Sequence, residues 1–126
     1  MNIFWFRRDL RLEDNVGLFH ALNNDEAVLP IFIFDETILS QLPKDDARVT
    51  FIYEQLEKIQ TQLQAIGKSL AVFHGTPFKV FTKLIDENKV KTVYTNHDYE
   101  PYAQARDTQV KEILESKGVT FRTFKD

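Results

Sequence analysis

Five short apolar runs punctuate the chain, at residues 2–6, 27–34, 69–74, 91–96 and 119–124. Each gap between them reads as helix, or as a polar loop leading into one. The runs are rich in β-branched and aromatic residues and are bounded by turn formers, the pattern of strands covered on both faces. Across residues 46–67, Val49, Ile52, Leu56, Ile59, Leu63 and Ile66 recur at steps of three and four. That spacing predicts one apolar stripe along a helix of about six turns. Gly67 suits the position just past its end, where positive φ is cheap. Thr76 and Pro77 fit the N-cap and first residue of the next helix, with Phe78, Phe81, Leu84 and Ile85 turned inward. Pro101 opens the last helix, Val110, Ile113 and Leu114 face the core, and Gly118 ends it. The irregular stretch at about 35–44 has room for a short helix. Strict alternation without an Asn-Gly hairpin signal predicts an α/β fold, a doubly wound five-stranded parallel sheet with right-handed crossovers.

Composition narrows the possible chemistry. At 126 residues the chain is expected to form one domain, 1–126. There is no cysteine, so disulfides, thiolate metal sites and Cys nucleophiles are excluded. No basic segment precedes the first apolar run, and no run approaches the ~20 residues that span a bilayer. The cytoplasm is the expected compartment, and no membrane partner is expected. G-x-G-x-x-G and Walker A patterns are absent. Gly75 reads as a strand-to-helix turn. His20 is expected on the solvent side of the first helix. His74 and His97 have no companion ligands at metal-binding spacing, so no metal is expected.

Charge concentrates in the loops that follow the first, second and fourth runs. Arg7, Arg8 and Arg11 interleave with Asp9, Glu13 and Asp14. Arg7 and Arg11 fit best as members of a local ion-pair lattice with those acids. Arg8 fits that lattice or a ligand's phosphate or ring equally well. Asp35, Asp98 and Glu100 close two strands. They could accept hydrogen bonds from a ligand, act as acid and base, or cap helices. Arg106 and Asp107 read as a structural salt link. Trp5 and the eleven phenylalanines are chiefly core.

Two segments carry a resemblance. Residues 5–15, Trp-Phe-Arg-Arg-Asp-Leu-Arg-Leu-Glu-Asp-Asn, and residues 96–107, Asn-His-Asp-Tyr-Glu-Pro-Tyr-Ala-Gln-Ala-Arg-Asp, resemble motifs of the amino-terminal α/β domain of the DNA photolyase and cryptochrome family. The resemblance covers almost the whole chain. It implies a Rossmann-like sheet of order 3-2-1-4-5, which brings the two motif loops to one crevice at the reversal of strand order. It implies a light-harvesting (antenna) domain of a deoxyribodipyrimidine photolyase, with no catalytic residue in this segment. The helical domain that binds FAD, and DNA through it, is expected to be the missing partner. An antenna chromophore of this family is 8-hydroxydeazaflavin, FMN or methenyltetrahydrofolate. The deazaflavin-type pocket maps onto Arg8, Phe32, Asp35, Asp98 and Glu100, all of matching type. An Asn-Glu pair used for folate in some bacterial members is replaced here by Tyr102 and Ala103. No cofactor is expected bound to this segment alone, and the face left by the missing domain offers a route to self-association. Two other readings stand beside this one. One is a stand-alone nucleotide-binding module of the universal stress protein or electron-transfer flavoprotein kind; the other is a cryptochrome photoreceptor domain.

The net charge of −3 and the locally cancelled arginine cluster oppose phosphate binding. No DNA affinity is expected from residues 1–126 in a fluorescence titration with dimer-containing DNA at low salt, where any attraction is exaggerated. Saturable micromolar binding would contradict this.

Overall fold

A computed structural model describes residues 1–40, 42–43 and 46–126. Lys44, where the expected irregular stretch ends, lies outside the described residues. Strands are β1 (Asn2–Phe6), β2 (Val28–Asp35), β3 (Ala71–Gly75), β4 (Thr92–Asn96) and β5 (Thr120–Phe124). Helices are α1 (Val16–Leu22), α2 (Glu36–Leu39), α3 (Ala47–Ala65), α4 (Pro77–Glu87) and α5 (Pro101–Ser116). The sheet has the order β3-β2-β1-β4-β5, and every pairing is parallel. Each expected strand is present, and α2 occupies the irregular stretch. No helix among the described residues is long and apolar enough to cross a membrane.

Strand alternation sends side chains to opposite faces, and each face has its own core. Ile3, Trp5, Ile31, Ile33 and Val93 pack with Phe81, Leu84, Val110 and Leu114 of α4 and α5. Phe4, Phe6, Phe32, Phe34 and Tyr94 pack with Leu18 of α1 and with Leu56, Ile59 and Leu63 of α3. Burying each such side chain contributes about 1.5–3 kcal/mol. β1 is buried along its whole length, as the central strand of a covered sheet must be. Edge strand β5 is exposed or half-buried throughout.

Helix ends follow local chemistry. Gly67 and Gly118 both have positive φ, +77° and +76°. In both places the two following-turn amides fold back in a Schellman arrangement, with Lys68 N–H on Leu63 carbonyl and Val119 N–H on Leu114 carbonyl. Thr76 caps α4 with Pro77 directly after it.

Three side chains depart from expectation. Ile66 is exposed because α3 ends at Ala65 and Ile66 is its cap, off the stripe. Phe78 is exposed, and Val80 is buried instead. α4 starts at Pro77 as expected, but its inward row is Pro77, Val80, Phe81 and Leu84, spaced i, i+3, i+4 and i+7, which leaves Phe78 one step off the buried face. His20 stacks on Phe124, with ring centres 4.4 Å apart, because the end of β5 reaches beside α1.

The two helices that leave the central strands diverge. β1 feeds α1 on one face of the sheet, and β4 feeds α5 on the other. A cleft opens between their loops. Gly17, at the start of α1, lies against that junction. A Cβ there would come within 2.7 Å of Asn96 Oδ1 and 2.9 Å of a Phe4 ring carbon. At an open helical site Gly→Ala stabilises by about 1 kcal/mol. Here Gly17→Ala is expected to destabilise by about 1–3 kcal/mol through overpacking, read as a fall in the urea midpoint. A rise in that midpoint would show that the contact gives way.

Candidate functional site

Beyond Phe6 the chain turns sharply. Asp9 accepts the backbone N–H of Arg7 at 2.8 Å. Arg7 points to the same face of the sheet as Trp5 and so reaches α5, where its Nη1 donates to both Asp107 oxygens at 2.5 and 2.6 Å. It also donates to the Asn96 carbonyl. Arg11 pairs with Asp126 and with the Asp14 carbonyl. The expected local lattice is therefore replaced by long-range pairs. The cause is geometric: the turn after β1 spends Asp9 on backbone and on Asn96. Arg7 is nearly buried, with 6% of its side chain exposed, so deleting Asp107 would leave an uncompensated charge costing about 3–5 kcal/mol.

Asn96 ends β4 and joins both motifs. Its Nδ2 donates to Asp9 Oδ2 at 2.5 Å and to Asn15 Oδ1 at 2.7 Å. Its Oδ1 accepts Gly17 N–H at 2.8 Å. Asn15 caps α1 through Leu18 N–H and returns its own amide to the Arg11 carbonyl. Sequence reasoning missed Asn96 as a participant, although it stood inside the second motif.

A crevice of about 300 Å³ lies between these loops, lined by Arg8, Asp98, Tyr99 and Glu100 among others. Arg8 faces Asp98 at 3.6 Å and Glu100 at 3.5 Å, with 70% of its side chain exposed. Behind them sits Arg106, only 11% exposed, at 3.7 Å from Asp35 and 4.0 Å from Asp98. It reaches Asp107 at 3.6 Å, so the expected Arg106–Asp107 link is present but is one of three. Its guanidinium lies over the Trp5 ring, 5.0 Å from the centroid. Burial lowers its pKa below the usual guanidinium range, and the charge of Arg7 adds to that, while the three carboxylates oppose it. Its Nε and Nη2 have no hydrogen-bond partner among the described residues. One signal in the sequence could have found it: Arg106 falls on the inward row of α5, between Ala103 and Val110.

Asp35 is buried. It caps α2 through Thr37 N–H at 3.0 Å and accepts the Tyr102 hydroxyl at 2.9 Å. It does not line the crevice but connects to it through Arg106. Phe32 lies on the opposite face of the sheet, in the core cluster with Leu56 and Ile59, edge-on to Phe34 with ring centres 5.0 Å apart. The structure thus brings Arg8, Asp98 and Glu100 to one cavity, links Asp35 from behind, and leaves Phe32 in the core.

The DNA photolyase family model matches residues 2–126. This chain belongs to the DNA photolyase family. It is 35% identical to a deoxyribodipyrimidine photo-lyase of Synechococcus sp., over 93% of this chain and 24% of that protein. It is 37% identical to cryptochrome-1 of Aedes aegypti, over 89% of this chain and 22% of that protein. An archaeal photolyase structure from Sulfolobus tokodaii, described as holding two FAD molecules, superposes with a TM-score of 0.88 at 36% identity. That match covers 99% of this chain and 29% of the other. The photolyase family chain therefore spans about a quarter of the length of the relatives it matches, corresponding to their amino-terminal domain. The stress-protein and electron-transfer-flavoprotein reading is not favoured.

One group here reports on pH. Burial raises the Tyr102 pKa above its usual value, and the hydrogen bond and charge of Asp35 add to the rise, while Thr37 and Arg106 oppose it. The folded chain thus holds this proton more tightly than the unfolded chain does. That contribution to stability is present below the ordinary phenol range and is lost as pH climbs through the raised value. Ultraviolet titration of the four tyrosines should show one late phenol. Asp35→Asn should bring it earlier; a titration unchanged by that substitution would deny the contact.

Proposed function

We propose that this chain is the light-harvesting domain of a deoxyribodipyrimidine photolyase. The reading rests on one observation: a charged crevice at the reversal of strand order, backed by a buried arginine with two unpartnered nitrogens. Arg106 lies behind the crevice wall, so the groups offered to a ligand are those of Arg8, Asp98 and Glu100. Arg8 would bind a ring or carbonyl face. Asp98 and Glu100 would accept from hydroxyl or amino groups. Asp35 holds the array from behind through Arg106. When bound, an antenna chromophore would absorb light and pass excitation to FAD in a helical domain. DNA repair would take place in that domain, and the residues assigned here would bind and orient rather than catalyse.

The candidates of this family are 8-hydroxydeazaflavin, FMN and methenyltetrahydrofolate. A flavin-type ring fits the residues better than folate, because Tyr102 and Ala103 stand where one folate mode uses an Asn-Glu pair. The exposed Phe19 and Leu22 of α1 offer an apolar face to the helical domain or to a second copy of the chain.

The isolated chain is expected to be colourless or nearly so, since a pocket shared between two domains loses contacts when one is missing. Titration with FMN, followed by fluorescence polarisation, should nevertheless saturate. Arg8→Ala and Asp98→Ala should each weaken it about tenfold, the worth of one charge-assisted hydrogen bond. Affinity untouched by both substitutions would place the chromophore elsewhere.

A further inference from the structure

Trp5 is the sole tryptophan of the chain. It is buried in the core and packs edge-on against Phe81. Two cations lie over it: the guanidinium carbons of Arg7 and Arg106 stand 4.8 and 5.0 Å from its ring centre. One cation on an indole is attractive. A second in the same desolvated space repels the first, and the charge of Arg7 is among the causes that lower the Arg106 pKa. Arg106 also faces the ring of Tyr102 at 5.9 Å.

This arrangement bears on electron loss. Indole gives up an electron more readily than the other side-chain rings. Arg7 both lines the crevice and touches Trp5, so the indole is one side chain away from an occupant of the crevice. An excited chromophore there is an oxidant. It would take one electron from the indole, leaving an indole radical cation and a chromophore reduced by one electron. The excitation would be lost before it could be passed on. A positive charge forming on a ring between two guanidinium groups meets like-charge repulsion, which is strong where water is excluded. Asp35, Asp98 and Asp107 offset part of it from 3.6 to 4.0 Å beyond Arg106, but the charges over the ring are the cations.

Resting on the reading of the crevice just given, we propose that Arg7 and Arg106 are positioning residues that make Trp5 hard to oxidise, so that the one indole beside the crevice does not quench an excited chromophore.

Voltammetry of the unliganded chain, with Trp5→Phe to isolate the indole wave, should place Trp5 at a higher potential than free tryptophan amide. Arg106→Gln should lower that potential, and Arg106→Lys, which keeps the charge, should restore most of it. A wild-type potential at or below that of the free amide, or one unmoved by Arg106→Gln, would overturn the proposal and leave the crevice standing. The fluorescence lifetime of bound FMN gives a second readout, taken in a Tyr99→Phe background because Tyr99 is a separate ring donor at the crevice wall. Trp5→Phe should leave the lifetime unchanged. Arg106→Gln should shorten it about tenfold, the effect on rate of losing one partly screened charge, and adding Trp5→Phe should return it. A lifetime that lengthens several-fold with Trp5→Phe alone would overturn the proposal. Should Arg106→Gln fail to fold, the wild-type potential and the Trp5→Phe lifetime decide between the outcomes. FMN that does not bind would overturn the crevice reading and the protective role with it, while the potential would still report the shielding of Trp5.

Discussion

The side chain of Asn96 fixes the geometry on which the rest of the site depends. One carboxamide bonds to Asp9 in the loop after β1, to the N-cap Asn15, and to the first turn of α1 at Gly17. Its own strand lies beside β1, so the two loops at the strand-order reversal are tied at their roots. Buried amides must be paired, and this one satisfies both of its ends within three segments. Gly17 belongs to the same constraint, because only a residue without Cβ lets α1 approach close enough for its amide to reach Asn96. The lips of the crevice can therefore be polar and exposed while their bases stay rigid.

Under the crevice the charges are balanced in layers. Arg7 and Arg106 both lie over the single tryptophan, 4.8 and 5.0 Å from its ring centre. Two desolvated cations on one indole would be untenable alone. Asp107 binds Arg7 in a fork, and Asp35, Asp98 and Asp107 surround Arg106 at the longer distances of an incompletely hydrogen-bonded cluster. Cation–π attraction of about 2 kcal/mol in a desolvated setting helps offset the burial. Arg7 is structurally committed. Arg106 retains hydrogen-bonding capacity, and Arg8 stays exposed at the rim. Three arginines within reach of one strand end thus hold three different roles, set by how far each lies from water.

The sheet was legible in the sequence because both of its signals are local. Apolar runs mark covered strands, and Thr76-Pro77, Gly67 and Gly118 mark helix ends through backbone chemistry that needs no tertiary partner. The strand order was not local and came from the motif resemblance. Arg8, Asp98 and Glu100 could be placed together because they follow the two strands that flank the reversal. The partners of Arg7 and Arg11 could not be read, since Asp107 and Asp126 lie 100 and 115 residues away and compete with nearer acids that turn out to serve the backbone. Phe78 was misplaced for a smaller reason. The helix begins at Pro77 as its sequence signals, but its inward row runs from Pro77 through Val80, Phe81 and Leu84, so Phe78 falls one step off it.

Membership of the photolyase family and a charged crevice held by Asn96 both support the proposal that the domain is a seat for a chromophore at the strand ends. A crystal structure of the chain grown with saturating flavin tests this most directly. The account predicts ring density between residues 7–9 and 97–100, in contact with Arg8 and Glu100. Flavin bound elsewhere, or a crevice closed by its own side chains in the presence of ligand, would contradict it.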